Sequence, residues 1–356
     1  MKSSRILCTG ESWYGATGRA CTASLRQLGC DVTEVNIDNY VPQWRRKSHR
    51  TIGRLIFPIA RKEFNEALLH MAWQQNPVFF LAFKGPYVEV ATLRKMRSMG
   101  IKLYNYYPDT SAFSHGPMLP KSLPEYDCIF YTKPFWDADV RKRVPLQESV
   151  FLAHGYDEEL HKPWPLTDQD RAQYDVDVAV IGSSTPYKEK VLGELLTLRP
   201  KLNLKIWGDR WETCKDERIL NCWQLGPLTG QSYSRALQKA RINLAIMSGK
   251  VNGASQGDDV TTRTFQIPAS RGFMLHERNT EVLTLFEEGK EIACFASPQE
   301  LVEKLDFYLA HPAERVAIAE AGYRRCVPAY SYSSRMTDLL QWHAASVRRG
   351  VHAEAR

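Results

Sequence analysis

The chain has 356 residues, 44% of them hydrophobic and 24% charged, with a formal net charge of +7. At about 150 residues per domain this predicts two globular domains, each able to bury a core. No apolar run approaches the roughly 18 residues that cross a bilayer, and Met1-Lys2-Ser3-Ser4-Arg5 leads into a short apolar run, Ile6-Leu7-Cys8, without the features of an export signal.

A cytoplasmic location is therefore expected. The eight cysteines are scattered with no C-x-x-C pair, which reads as reduced thiols and not as a zinc site or a disulfide framework. The positive charge suits an anionic partner such as a nucleotide diphosphate or an acidic lipid. Nucleic acid is not expected, because the basic residues are not interleaved with aromatics along one stretch. The cluster Arg45-Arg46-Lys47 precedes the apolar Ile52, Leu55, Ile56, Phe57 and Ile59, a pattern that also suits peripheral contact with the inner membrane surface.

In chain order, Arg5–Thr9 reads as a strand, Thr17–Leu28 as a helix stopped by Gly29, and Asp31–Ile37 as a second strand. Val78–Phe83 is a strand, Val88–Met99 a helix ending at Gly100, and Ile101–Tyr106 a strand. Tyr126–Tyr131 and Val150–Leu152 close the series. Two prolines and weak periodicity from His161 to Tyr174 read as a linker. The alternation then restarts with strand Val176–Gly182, helix Lys188–Leu198, strand Leu202–Trp207 and helix Tyr233–Ala240. It continues through strand Ile242–Ile246, helix Thr264–Ser270 and strand Phe273–Leu275. Continuously apolar strands separated by helices indicate parallel sheets covered on both faces. The fold class is α/β, with two doubly wound, Rossmann-like domains facing one another across a cleft.

Ligands of such sheets bind at the carboxyl ends of the strands. After the first strand comes Gly10-Glu11-Ser12-Trp13-Tyr14-Gly15-Ala16-Thr17-Gly18. Gly15 and Gly18 make it a candidate phosphate or acceptor loop, although its G-x4-G-x2-G spacing is not the dinucleotide fingerprint. A plain strand-to-helix turn fits equally well. After the first strand of the second half comes Gly182-Ser183-Ser184-Thr185-Pro186-Tyr187-Lys188. Small residues, hydroxyls, a helix start and a lysine suit a diphosphate cradle. Asp137-Ala138-Asp139 opens a helix and Asp175-Val176-Asp177 enters a strand; neither is a loop of convergent carboxylates, so no metal is expected.

The segment Thr264-Phe265-Gln266-Ile267-Pro268-Ala269-Ser270-Arg271-Gly272-Phe273-Met274-Leu275 resembles the R-x-F-E-x-x-A-x-G-x-x-x-L run of CgeB-type, spore-maturation-like glycosyltransferases. The likeness continues through Leu285 to Ile292, Tyr308 to Arg315 and Tyr332 to Arg335, and earlier at Lys84-Gly85, Tyr107-Pro108-Asp109 and His154-Gly155-Tyr156-Asp157. It is dense after Thr264 and sparse before Asp109.

This resemblance implies a GT-B architecture: an acceptor domain over 1–165, a nucleotide-sugar donor domain over 174–328, and a C-terminal helix and tail over 329–356 returning to the first domain. It implies a donor sugar carried on a nucleotide diphosphate, a glycan, lipid-linked or small-molecule acceptor, and no cofactor. Related retaining enzymes hold the donor with an E-x7-E motif, whose positions are Asp258 and Gln266 here. Gln266 can bond ribose hydroxyls without charge assistance. Gly182, Ser183, Lys188 and Arg263 would meet the diphosphate, and His276 and Glu281 the donor sugar. Asp109, ending its strand, is the first candidate for acceptor-side base, with His115 and Glu11 as rivals. A GT-B nucleotide-sugar epimerase and a non-catalytic binding protein of the same fold are the alternatives.

Overall fold

The computed structural model describes residues 4–40 and 50–354. The cluster Arg45-Arg46-Lys47 and the side chains of Ile52 and Leu55 lie outside the described residues. Among the described residues, no helix is long and apolar enough to cross a membrane.

The chain divides into two compact units. Unit 1 comprises Met1–Ala153, Val251–Ser255 and Tyr332–Arg356; unit 2 comprises His154–Lys250 and Gln256–Ser331. Unit 1 runs β1 (Arg5–Gly10), α1 (Thr17–Gln27), β2 (Asp31–Asn36), α2 (Arg50–Gln75), β3 (Phe79–Phe83), α3 (Val90–Ser98) and β4 (Lys102–Tyr107). It continues with α4 (Met118–Ser122), β5 (Cys128–Tyr131), α5 (Trp136–Arg141) and β6 (Glu148–Phe151). Its six strands are parallel in the order β2-β1-β3-β4-β5-β6. Alternate residues feed the two faces, as the period of two requires. Leu7, Phe80, Leu103 and Ile129 pack with Phe64, Leu68, Leu93 and Met96 of α2 and α3. Ile6, Cys8, Leu81, Tyr104 and Phe130 pack on the opposite face with Cys21 and Leu25 of α1.

Unit 2 runs α6 (Asp168–Tyr174), β7 (Val178–Ile181), α7 (Pro186–Leu198), β8 (Leu204–Trp207), α8 (Glu217–Cys222), α9 (Gly230–Lys239), β9 (Ile242–Ala245) and α10 (Thr262–Ala269). It ends with β10 (Met274–Glu277), α11 (Thr280–Leu285), β11 (Ala293–Phe295), α12 (Pro298–Ala310) and α13 (Pro312–Cys326). These five strands are also parallel, in the order β11-β10-β9-β7-β8. The sheet is covered by α7 and α12 on one face, and by α9 and α10 on the other. The last helix, α14 (Tyr332–Glu354), belongs to unit 1, where Tyr332, Met336 and Leu339 complete the α1 face of the core.

Part of the stretch read as a linker is the helix α6, started by a capping box in which Thr167 and Asp170 exchange hydrogen bonds. Five polar or charged residues among its first six hide its period, and the cap supplies the order that apolar periodicity lacks.

Both sheets reverse their winding beside the first strand, at β1/β3 in unit 1 and β7/β9 in unit 2. The carboxyl ends at these switch points are where such sheets leave an open crevice.

Candidate functional site

In unit 2, β7 ends at Ile181, and the loop 182–185 turns the chain into α7. Thr185 caps that helix, its Oγ1 accepting from the Lys188 amide. Pro186 at the first helical position has no N–H to satisfy. Lys188 is 4% exposed, and its Nζ donates to the Ser183 carbonyl at 2.9 Å. Arg263, in the first turn of α10, lies across the switch point: Nη1 donates to the Ile181 carbonyl at 2.7 Å and Nη2 to the Ile246 carbonyl at 3.0 Å. Among the described residues, its buried Nε has no hydrogen-bond partner. Gly182, at φ +148, lies directly against this guanidinium; a Cβ there would overlap Arg263 Nη1 and touch Lys188 Nζ. The glycine is what lets two cations converge on one loop.

Burial, followed by the charge of Arg263, pushes the Lys188 amine down to about 7; Asp258 and Glu277 act in the opposite direction. Arg263 is likewise lowered by burial. Two like charges held together in a desolvated crevice are stabilised by a polyanion.

Beside this pair lies a cavity of about 450 Å³, lined among others by Tyr187, Asp258, Glu277, Arg278, Asn279 and Phe295. That volume is in the range of small-molecule sites. Glu277 is anchored at both oxygens. Oε1 accepts from the Tyr187 hydroxyl at 2.7 Å and Oε2 from the Met247 amide at 2.7 Å. Burial raises its pKa despite these donors and the nearby Arg263 and Lys188.

Arg278 donates to both Glu288 and Glu300 at 2.6–2.9 Å. Glu300 is pulled down to about 2, first by its hydrogen bonds to Arg278. A depressed carboxylate contributes stability that is present above the unfolded value of 4.5 and lost as pH falls through the folded one. Acid unfolding should therefore include a limb between about 4.5 and about 2. In Arg278→Met, denaturant melts should show that limb flattened, with stability near neutral pH lowered by roughly 1–2 kcal/mol.

The remaining residues expected on the donor side fall in different places. Gln266 Oε1 accepts from the Tyr233 hydroxyl at 2.7 Å, on the α9 side of the sheet. Asp258 lines the cavity. His276 is fully buried, contacting Thr264 Oγ1 at 3.0 Å and the Glu277 carbonyl at 2.7 Å, and burial pushes its pKa down to about 4. Glu281, in the first turn of α11, is not among the cavity-lining residues. The sequence points to His276 and Glu281 and passes over Glu277, which lies between them. The usable signal was strand parity: Leu275 packs with the α7 and α12 core, so Glu277, two residues on, shares the face that carries Tyr187.

In unit 1, Glu11, Lys84 and Asp109 follow the adjacent strands β1, β3 and β4. Lys84 Nζ is 2.6 Å from Asp109 Oδ2, and His115 Nε2 is 2.8 Å from the same oxygen. Burial favours the neutral Asp109 carboxyl, but His115 and Lys84 outweigh it and hold the group well below the usual carboxylate range. Lys84 and Gly85 both adopt positive φ, with the Asn105 amide donating to the Lys84 carbonyl at 3.1 Å. This kink aims the lysine back at the β4 end. Glu11 acts electrostatically on Lys84 and Tyr87. Gly15 and Gly18 are positions of close packing: a Cβ on Gly15 would press on the Trp13 ring, and one on Gly18 on the Glu11 carbonyl and Phe83.

Both aspartate pairs are engaged in ion pairs. Asp137 pairs with Arg141, and Asp139 takes Lys142 and the Ser255 amide. Asp175 pairs with Lys239, and Asp177 with Arg241. Among the described residues, no group of three or more His, Cys, Asp or Glu is placed to hold a metal ion.

Two parallel Rossmann-like units in one chain, the second carrying a cationic switch point, define the GT-B class of fold. Residues 186–341 match the model of a family described as glycosyl transferase-like. Among solved structures, sucrose-phosphate synthase (tll1590) from Thermosynechococcus elongatus aligns with a TM-score of 0.68 at 12% identity, over 97% of this chain and 100% of that one. Anabaena Alr3699/HepE in complex with UDP-glucose aligns with a TM-score of 0.65 at 10% identity, over 96% and 99%. A glycosyltransferase from Rickettsia africae ESF-5 gives 0.64 at 10% identity, over 96% and 98%. No curated protein matches the sequence.

Proposed function

We propose that the protein is a CgeB-type glycosyltransferase that moves a sugar from a nucleotide diphosphate to a hydroxyl of a glycan or lipid-linked acceptor, with no metal ion. The observation that carries this reading is the convergence of Lys188 and Arg263 on Gly182 beside the unit 2 cavity. These cations supply the charge that a metal would otherwise bring to a departing diphosphate. The cavity takes the rest of the donor, with Glu277, Asp258 and Asn279 offering hydrogen-bond partners to its hydroxyls. The match over 186–341 includes Lys188, Arg263 and the residues that line the cavity.

Unit 1 supplies the acceptor-side groups. A carboxylate held as far down as Asp109, with one oxygen shared by Lys84 and His115, is a weak proton acceptor. Its role is to hold His115 through Nε2, which leaves Nδ1 to take the acceptor proton. The acceptor oxygen bonds to the anomeric carbon, the bond to the diphosphate oxygen breaks, and the new charge falls on Lys188 and Arg263.

Calorimetry with a panel of nucleotide sugars tests the donor site, beginning with UDP-glucose, the ligand in the HepE structure. Product analysis then tests the chemistry: an elongated acceptor and free nucleotide diphosphate are expected. Conversion of the donor to its epimer without acceptor would make the protein an epimerase. Absence of any nucleotide-sugar binding would leave a binding protein of this fold.

A further inference from the structure

The loop after β1 carries two large aromatics at the surface, Trp13 at 42% and Tyr14 at 52% exposure. Both are fixed. The Trp13 indole Nε1 donates to Glu11 Oε2 at 3.1 Å, and its ring rests on Gly15, whose φ of +99 and missing Cβ make room for it. The Arg19 guanidinium lies 4.0 Å from the Tyr14 ring centroid. A turn closes the loop, with the Ala16 amide donating to the Trp13 carbonyl at 3.0 Å. Holding exposed aromatic rings in place spends order on surface that the core does not use.

The surroundings specify what could cover them. Glu11, which holds Trp13, acts on Lys84, and Lys84 pairs with Asp109 and through it with His115. Strands β1, β3 and β4 are neighbours, so these groups end within about 10 Å of one another across two strand spacings. The rings are therefore bordered by charged hydrogen-bonding groups. An alkyl chain laid there would desolvate those charges without pairing them. A pyranose has what both parts need: a face of C–H bonds with partial positive charge for the π-cloud, and a rim of hydroxyls for the charged groups.

We infer that Trp13, flanked by Tyr14, is a stacking platform for a pyranose ring of the acceptor, so that the acceptor end is a sugar chain. This rests on the acceptor-side role given above to His115 and Asp109.

The test uses the full chain and four probes: maltotetraose, chitotetraose, decyl phosphate as an apolar anionic alternative, and UDP-glucose as the donor-site control. Calorimetry should show at least one tetrasaccharide binding to the native protein. Binding should weaken about tenfold or more in Trp13→Ala and stay within about threefold in Trp13→Phe. UDP-glucose affinity should be the same in all three proteins. The inference is overturned if neither tetrasaccharide binds, if Trp13→Ala leaves binding unchanged, or if decyl phosphate alone binds in a Trp13-dependent way. Failure of the donor reading is seen separately, as native protein that takes tetrasaccharide and no UDP-glucose.

Discussion

Replacing Lys188 with methionine should weaken nucleotide-diphosphate binding about 10- to 100-fold while making the ligand-free protein more stable at neutral pH. The affinity loss is that of charge-assisted contacts to phosphate oxygens. The stability gain follows from linkage. Burial and Arg263 depress the Lys188 amine from 10.5 to about 7, so between those values the unfolded chain binds the extra proton and the folded one does not. Stability of the native protein should therefore rise with pH across that window, and the methionine variant should lack that rise. A bound diphosphate favours the ammonium form and draws a proton in. Native affinity should accordingly fall as pH rises above about 7, with proton uptake visible as a buffer-dependent binding enthalpy. Unchanged affinity and unchanged pH dependence in Lys188→Met would remove this lysine from the site.

The second large effect is expected on turnover. His115→Ala should lower kcat by about 10²–10⁴ with donor affinity unchanged. Asp109→Asn removes the charge that His115 and Lys84 share. It should depress kcat less than His115→Ala does, and it should also destabilise unit 1, because Lys84 would then be left facing a neutral amide. The opposite order, with Asp109→Asn inactive and His115→Ala near native turnover, would make Asp109 itself the base.

Much of the architecture was legible before any coordinates. Runs such as Phe79–Phe83 and Val178–Ile181 are apolar without alternation, because both faces of a parallel strand are covered by helices. Their spacing by helices and the restart after Tyr174 were enough to expect two doubly wound sheets. The glycine loop at Gly182 was visible for the same reason, since a strand that turns sharply into a helix needs small residues and a cap. α6 was not, because its order comes from a polar capping box.

By itself, then, the sequence determined the class of fold, the carboxyl-end loops as the places to look for a site, and Lys188, Arg263, Asp109 and His115 as groups worth testing. Only the tertiary structure decided how they combine. Arg263 bonds a carbonyl 82 residues away in the chain, and Asp109 gathers Lys84 and His115 from two other segments. Strand parity sent Glu277 to the cavity and His276 to the core. Local preference is written in near neighbours, whereas charge pairing and side-chain facing depend on which strands lie side by side, and sheet order alone settles that.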